Sequence, residues 1–146
     1  MNAIDTNVLV YRLDRDEPVK QAQARKLLQR LSLETTPTIL PWQVLGELMR
    51  QLRAWQDQGS ITRNALVRYV GVFRKLFPLV MPTERVVDHA LDLTARYSLS
   101  HWDSMLLAAC KDAGVTVLFT EDMGATTTCD GMQLINPFAE KYPAAT

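Results

Sequence analysis

Asp5, Glu47, Asp103 and Asp122 are the residues of this chain whose type and setting could do chemistry. Each stands at the edge of an apolar segment: A-I-D-T-N-V-L-V, W-Q-V-L-G-E-L-M, S-H-W-D-S-M-L-L-A-A and L-F-T-E-D-M. A carboxylate beside buried surface is costly unless its charge is offset. Several carboxylates brought together repel one another, which keeps some of them protonated. A divalent cation removes the conflict, because hard ions such as magnesium take oxygen ligands. Whether a metal centre exists here therefore depends on whether the fold makes the four acids meet.

Each acid also has a plainer reading. Asp5, followed by Thr6 and Asn7, could close a strand through an Asx-turn. Val8, Leu9 and Val10 continue the apolar run past it, which weakens a simple turn. Glu47 falls on the flank of a helical face made by Leu45, Leu48, Met49 and Leu52, so periodicity alone makes it a solvated residue able to pair with Arg50. Asp103 lies three, four and seven positions before Leu106, Leu107 and Cys110 and shares their side of an apolar helix. An acid in a first turn also favours the positive end of that helix, so capping and metal binding are compatible there. Asp122 stands in T-E-D-M-G, where turn chemistry is the alternative; Glu121 is its neighbour, and Asp130 in C-D-G is a second rival that reads first as a turn. The remaining acids read as structural: Asp88 and Asp92 lie opposite an apolar face, Asp92 in reach of Arg96, and Asp14, Asp16 and Glu17 mark a helix start. His89 sits on a polar flank, and His101 lies beside Asp103.

The elements that must position these residues alternate. Ile4–Tyr11 reads as a buried strand ending near the D-T-N triplet. Asp16 as cap and Pro18 in the first turn open a helix running through Leu33. T-I-L between Pro37 and Pro41 is a short strand, and from Trp42 the spacing is helical until Gly59 and Ser60. Thr62 caps a further helix that Pro78 stops, and L-V-M is another short strand. Thr83 caps a helix built on Val86, Val87, Ala90, Leu91, Thr94 and Tyr97. Ser100–Asp103 is close to a capping box, and the apolar helix behind it ends at Gly114. V-T-V-L-F-T reads as a central strand and M-Q-L-I-N as a last, edge strand. Such alternation predicts an α/β fold with a parallel sheet and helices on both faces. Ligands of such sheets bind beyond the carboxyl ends of the strands, where Asp5 and Asp122 fall.

The 146 residues suit one domain, 1–146, with a core of its own, and an apolar fraction of 47% against 22% charged is that of a globular protein. Sixteen Lys and Arg balance sixteen Asp and Glu, so nothing attracts nucleic acid globally and binding would need a local basic patch. Cys110 and Cys129 have no metal-ligand spacing and read as reduced thiols. No stretch approaches a membrane span and the N-terminus does not read as a signal peptide, so the expected location is the cytoplasm.

Taken together, I-D-T-N-V-L-V, the acid in V-L-G-E-L, H-W-D-S-M-L-L-A-A and L-F-T-E-D-M, in this order and at these separations, resemble a PIN domain, and most of all the VapC-type toxins of toxin–antitoxin pairs. The likeness runs over essentially the whole chain, including the terminal I-N-P-F. It implies an α/β/α sandwich and a metal-dependent ribonuclease. It implies Asp5, Glu47, Asp103 and Asp122 as catalytic and metal-holding acids, with Thr6, Asn7 and Thr120 in support. For Glu47 the resemblance overrides the solvated reading. It implies magnesium or manganese, products with 5′-phosphate and 3′-hydroxyl ends, a VapB-like antitoxin whose tail occupies the groove, and a homodimer. Arg12, Arg15, Arg50 and Arg53 are the arginines expected to grip RNA phosphates, and Trp42, Trp55, Phe73 and Phe77 the aromatics considered for an interface, with core packing as the alternative. Gly124–Gly131 does not match the family pattern cleanly.

Two other functions fit part of the pattern. A magnesium-dependent phosphatase or receiver-like phosphoacceptor would also use Asp5, but no second acid follows two residues later. A degenerate nuclease fold that only binds RNA or protein is the non-enzymatic alternative, and the complete acid set speaks against it.

Overall fold

A computed structural model describes residues 1–123 and 127–140. In chain order the elements are β1 (Asn2–Ile4), α1 (Thr6–Leu13), α2 (Pro18–Leu33), β2 (Thr38–Pro41), α3 (Trp42–Asp57), α4 (Arg63–Leu76), β3 (Leu79–Val80), α5 (Arg85–Arg96), α6 (His101–Asp112), β4 (Val117–Phe119), β5 (Thr128–Cys129) and β6 (Met132–Ile135). The strands form one six-stranded sheet in the order β3-β2-β1-β4-β6-β5. All pairs are parallel except β5 with β6.

Every residue of β1 and β2 is buried, including Asn2 and Thr38. Continuous burial without alternation requires cover on both faces of a parallel sheet. The helices supply it in two packed groups: α1 lies on α2 and α3, and α3 on α4, while α5 pairs with α6. Leu48, Leu52, Leu93 and Leu107 carry the helical side of the core, and Ala3, Ile4 and Leu118 the strand side. Among the described residues no helix is long and apolar enough to cross a membrane.

The sequence reading needs correction at several points. Val8, Leu9 and Val10 belong to a helix, because β1 stops at Ile4 and Asp5 caps α1. An apolar run of this length satisfies a buried strand and a buried helix equally well, so periodicity could not separate them. Glu17, not Asp16, occupies the cap position of α2 and makes no side-chain cap bond, although Pro18 does open the first turn. Thr83 lies one residue outside the cap of α5 and spends its hydroxyl on Asp112 Oδ2. Val87 and Leu91 are exposed, so the buried face of α5 is narrower than its apolar stripe. β6 is not an edge strand, since β5 pairs with its outer side through a hairpin. Asp130 and Gly131 form that two-residue turn with φ of 50° and 81°, the left-handed values of a tight hairpin turn. Phe73 and Phe77 are core residues and cannot serve an interface, Trp55 is half-buried, and Trp42 is exposed. Residues 124–126 of the Gly124–Gly131 segment lie outside the described residues.

Candidate active site

β1 and β4 are neighbours, but the chain leaves β1 toward β2 and reaches β4 only after three further helices have followed α3. The strand order therefore reverses between β1 and β4, and the crevice beyond their carboxyl ends is where open α/β sheets place ligands. Ile4 pairs with Phe119, so Asp5 and Thr120 are the first residues past the sheet on either side of that crevice. Asp5 N–H donates to Phe119 O at 2.9 Å, which fixes the level of Asp5 against β4.

Asp5 is 5% exposed. Its Oδ1 accepts from Thr6 N–H at 2.6 Å, and its Oδ2 accepts from the Thr120 hydroxyl at 2.7 Å. Burial pushes its carboxyl up to about 6; the bonds from Thr120 and Thr6 oppose this, and the charges of Asp122 and Glu47 add to it. The Thr6 hydroxyl, on the first residue of α1, donates to Glu47 Oε2 at 2.7 Å. Asn7 Nδ2 donates to Asp122 Oδ2 at 3.2 Å, and Asn7 Oδ1 accepts from Glu121 N–H at the same distance. Asp122 N–H closes the loop on Thr120 Oγ1 at 3.1 Å. One hydrogen-bonded network thus joins Asp5, Glu47 and Asp122, acids from three separate stretches of sequence, through Thr6, Asn7 and Thr120.

Glu47 is half-buried on α3. Its other oxygen accepts from Gln43 Nε2 at 2.9 Å, and Gln43 also donates to Trp102 O at 3.1 Å. That second bond ties α3 to the first turn of α6, one residue before Asp103. Sequence reasoning missed Gln43; its position four residues before Glu47 on one helix was the available signal. Arg50 does not pair with Glu47. Asp103 N–H donates to Ser100 Oγ at 3.2 Å, which is half of a capping box. The half-buried Asp103 carboxylate has no hydrogen bond or ion pair among the described residues.

Glu121 and Asp130 are separated from this group by their partners. Glu121 receives Tyr11 OH at 2.9 Å and pairs with Lys20 at 2.8 Å. Asp130 pairs with Arg96 and Lys111, which hold its carboxyl down at about 2. Asp92 and Asp112 pair with Arg96 and Arg85. By contrast, none of Asp5, Glu47, Asp103 and Asp122 is in an ion pair among the described residues. Cys110 is fully buried with its thiol pushed up to about 12 by burial, so it is not a nucleophile.

The chain matches the PIN domain family over residues 3–128. It belongs to that family. No curated protein matches it at a significant level. A toxin–antitoxin complex from Klebsiella pneumoniae is similar in structure, with 18% identity, a TM-score of 0.64, and coverage of 94% of this chain and 98% of that one. VapC20 of Mycobacterium tuberculosis, a Sarcin-Ricin loop cleaving toxin, has 13% identity and a TM-score of 0.62 over 84% of this chain and 90% of its own. VapBC2 from Rickettsia felis, bound to a promoter DNA fragment, has 12% identity and a TM-score of 0.66 over 92% and 97%. These likenesses establish a shared fold.

A PIN domain implies a divalent metal, and the chain's residues can be tested against one. The donors are hard oxygens, they carry uncompensated charge, and one of them is buried at high cost, all of which suits a divalent cation. Their spacing is open, however: among the described residues no group of three or more His, Cys, Asp or Glu side chains stands ready to hold a metal ion. Thr6, Asn7 and Thr120 hold the carboxylates from one another by interposed hydroxyl and amide groups. The donor chemistry fits, without a closed coordination shell.

Proposed function

We propose that this chain is a VapC-type toxin: a magnesium- or manganese-dependent endoribonuclease kept inactive by a cognate VapB-like antitoxin and acting in the cytoplasm as a single PIN-like domain over 1–146. One observation carries the reading. Asp5, Glu47 and Asp122 share a hydrogen-bonded network at the switch point of the sheet, with Asp103 at the adjoining helix end, and among the described residues no cationic side chain pairs with any of them. Membership in the PIN family and the fold shared with VapC20 and with two toxin–antitoxin assemblies support it.

Asp5, Glu47, Asp103 and Asp122 would hold the metal. When bound, the metal lowers the pKa of a water and stabilises the leaving oxygen of a phosphodiester. The chain's own part is orientation. Thr6 and Thr120 fix the rotamers of Glu47 and Asp5 through bonds of 2.7 Å, Asn7 fixes Asp122, and Gln43 holds Glu47 against the start of α6. Hydrolysis would leave 5′-phosphate and 3′-hydroxyl ends. A homodimer belongs to the same proposal, and exposed Trp42, Met81 and Trp102, which line one depression, are the apolar surface it would cover. The open spacing of the carboxylates favours a second reading, a degenerate PIN-like module that binds RNA or protein without cleaving it.

Total RNA incubated with protein and magnesium, beside an Asp5→Ala variant, tests both. Cleavage that requires the metal and disappears in the variant is the expected result. Cleavage that persists in EDTA and in Asp5→Ala would refute the site, and binding without cleavage would favour the module.

A further inference from the structure

A groove of about 450 Å³ runs between α2 and α4, helices that pack instead on α1 and α3 respectively. Four arginines line it: Arg12 near the end of α1, Arg15 in the turn that follows, Arg25 from α2 and Arg68 from α4. None of the four is in an ion pair among the described residues. Its floor is apolar, with Leu28 and Phe73 at the base, and the Arg68 guanidinium lies over the Tyr69 ring at 5.5 Å from the centroid. In a chain with zero net charge this is a concentrated positive patch. Asp14 and Asp16 temper it at the Arg15 end, where they line the neighbouring depression. Arg50 and Arg53, expected from sequence to grip phosphates, are exposed on α3 and do not line the groove.

We infer that this groove binds the sugar–phosphate backbone of single-stranded RNA, with Arg12, Arg15, Arg25 and Arg68 as the phosphate contacts. The inference rests on the nuclease reading for the identity of its ligand. Two features favour RNA. The first is chemistry: guanidiniums set among aromatic and apolar side chains suit a strand that offers phosphates and stackable bases together. The second is continuity: α1 carries Thr6 and Asn7 of the acid network at one end and Arg12 at the other. Arg12 lies six positions after Thr6, about 9 Å along the axis at the rise of an α-helix. A strand engaged at the acids therefore has Arg12, on the same short helix, within reach. An acidic protein segment is the competing occupant.

The test reads binding without cleavage. The full chain is titrated, in EDTA, into a short fluorescein-labelled single-stranded RNA of mixed sequence, and anisotropy is followed over a range of potassium chloride concentrations. Each phosphate contact to a single strand contributes about 0.7 to the slope of log affinity against log salt. Arg25→Ala/Arg68→Ala, at two exposed positions whose loss the fold tolerates, should lower that slope by about 1.4 and weaken binding roughly 25-fold near 0.1 M salt. Arg25→Lys/Arg68→Lys should keep most of the slope, and Arg74→Ala, on α4 but outside the groove, should leave it unchanged. An unchanged slope in the alanine pair overturns the inference, as does a wild-type chain that fails to bind the RNA. So does an alanine pair that binds RNA normally yet loses affinity for a polyglutamate peptide, which assigns the groove to a protein partner. A chain that cleaves RNA but ignores the two arginines refutes the groove alone; one that never cleaves, yet binds RNA through them, refutes the nuclease alone.

Discussion

Replacing Asp5 with asparagine should stabilise the metal-free protein at neutral pH. The Asp5 carboxyl is raised from 3.8 to about 6, chiefly by burial, with the charges of Glu47 and Asp122 adding to the effect. Between those two values the folded protein keeps a proton that the unfolded chain has released. Stability therefore falls as pH rises from about 4 to about 6 and stays low above it. The difference corresponds to about 3 kcal/mol, on the order of a quarter to a half of the stability of many domains. Asparagine is close to the protonated acid in shape and in bonding: its oxygen can accept from Thr6 N–H and its amide can donate to Thr120 Oγ1. Wild type and Asp5→Asn should then be nearly equal in stability near pH 4. Near pH 7.5 in EDTA, the variant should melt about 6–12 °C higher.

Thermal unfolding followed by circular dichroism from acid to neutral pH reads this directly. Excess magnesium should then raise the melting temperature of the wild type at neutral pH, by about 2.7 kcal/mol of stabilisation at a hundredfold excess over Kd, and raise that of Asp5→Asn far less. Parallel pH profiles for the two proteins would refute the buried-charge reasoning. Equal stabilisation of both by magnesium would show that the ion does not sense Asp5.

Gln43→Leu should lower the cleavage rate roughly tenfold with KM little changed, since it frees Glu47 from one bond and from its tether to α6, in a range set by a charge-assisted hydrogen bond; steady-state kinetics on RNA decide it. Phe77→Ala should cost about 3–5 kcal/mol, read as a shifted urea midpoint, because Phe77 is 1% exposed where α4 gives way to β3. Asp130→Asn should lower the melting temperature by about 2–4 °C at pH 7, consistent with a partly exposed ion pair worth about 1 kcal/mol. Arg96 and Lys111 hold the Asp130 carboxyl down at about 2, so its contribution is present above the unfolded value of 3.8 and is lost as pH falls toward 2, where wild type and variant should converge.

The fold was legible in sequence wherever a local rule acted alone. Thr62 caps α4 and Ser100 caps α6, each by its side chain, as expected of a Ser or Thr ahead of an apolar period. Pro18 and Gly114 bound their helices as their backbones require. Legibility failed where a tertiary contact outcompeted the local one. The Thr83 hydroxyl was free to cap α5 but found Asp112, a residue brought near only by the packing of α5 on α6. The turn at Asp130 and Gly131 was readable, yet the two-residue β5 before it was too short to give a signal. At the site, Thr6 and Asn7 were legible only as neighbours of Asp5, and a supporting role for Thr120 came from the family resemblance alone. Their hydrogen bonds reach across 41 and 115 positions, and no sequence window spans that distance.

The same contrast explains why helical periodicity misjudged Glu47. A wheel asks whether a residue faces the core or the solvent, and Glu47 does neither. The separation between the structural acids and the proposed site acids lies in their partners. Glu121, Asp92, Asp112 and Asp130 are each met by a lysine or arginine, a pairing that settles a carboxylate wherever it sits. Asp5, Glu47 and Asp122 are met by hydroxyls and amides, which orient a carboxylate and leave its charge in place. Negative charge that the described residues aim but do not neutralise is destabilising on its own. The most economical physical reason for a fold to carry it at the switch point of a sheet is a positively charged ligand that arrives from outside the chain.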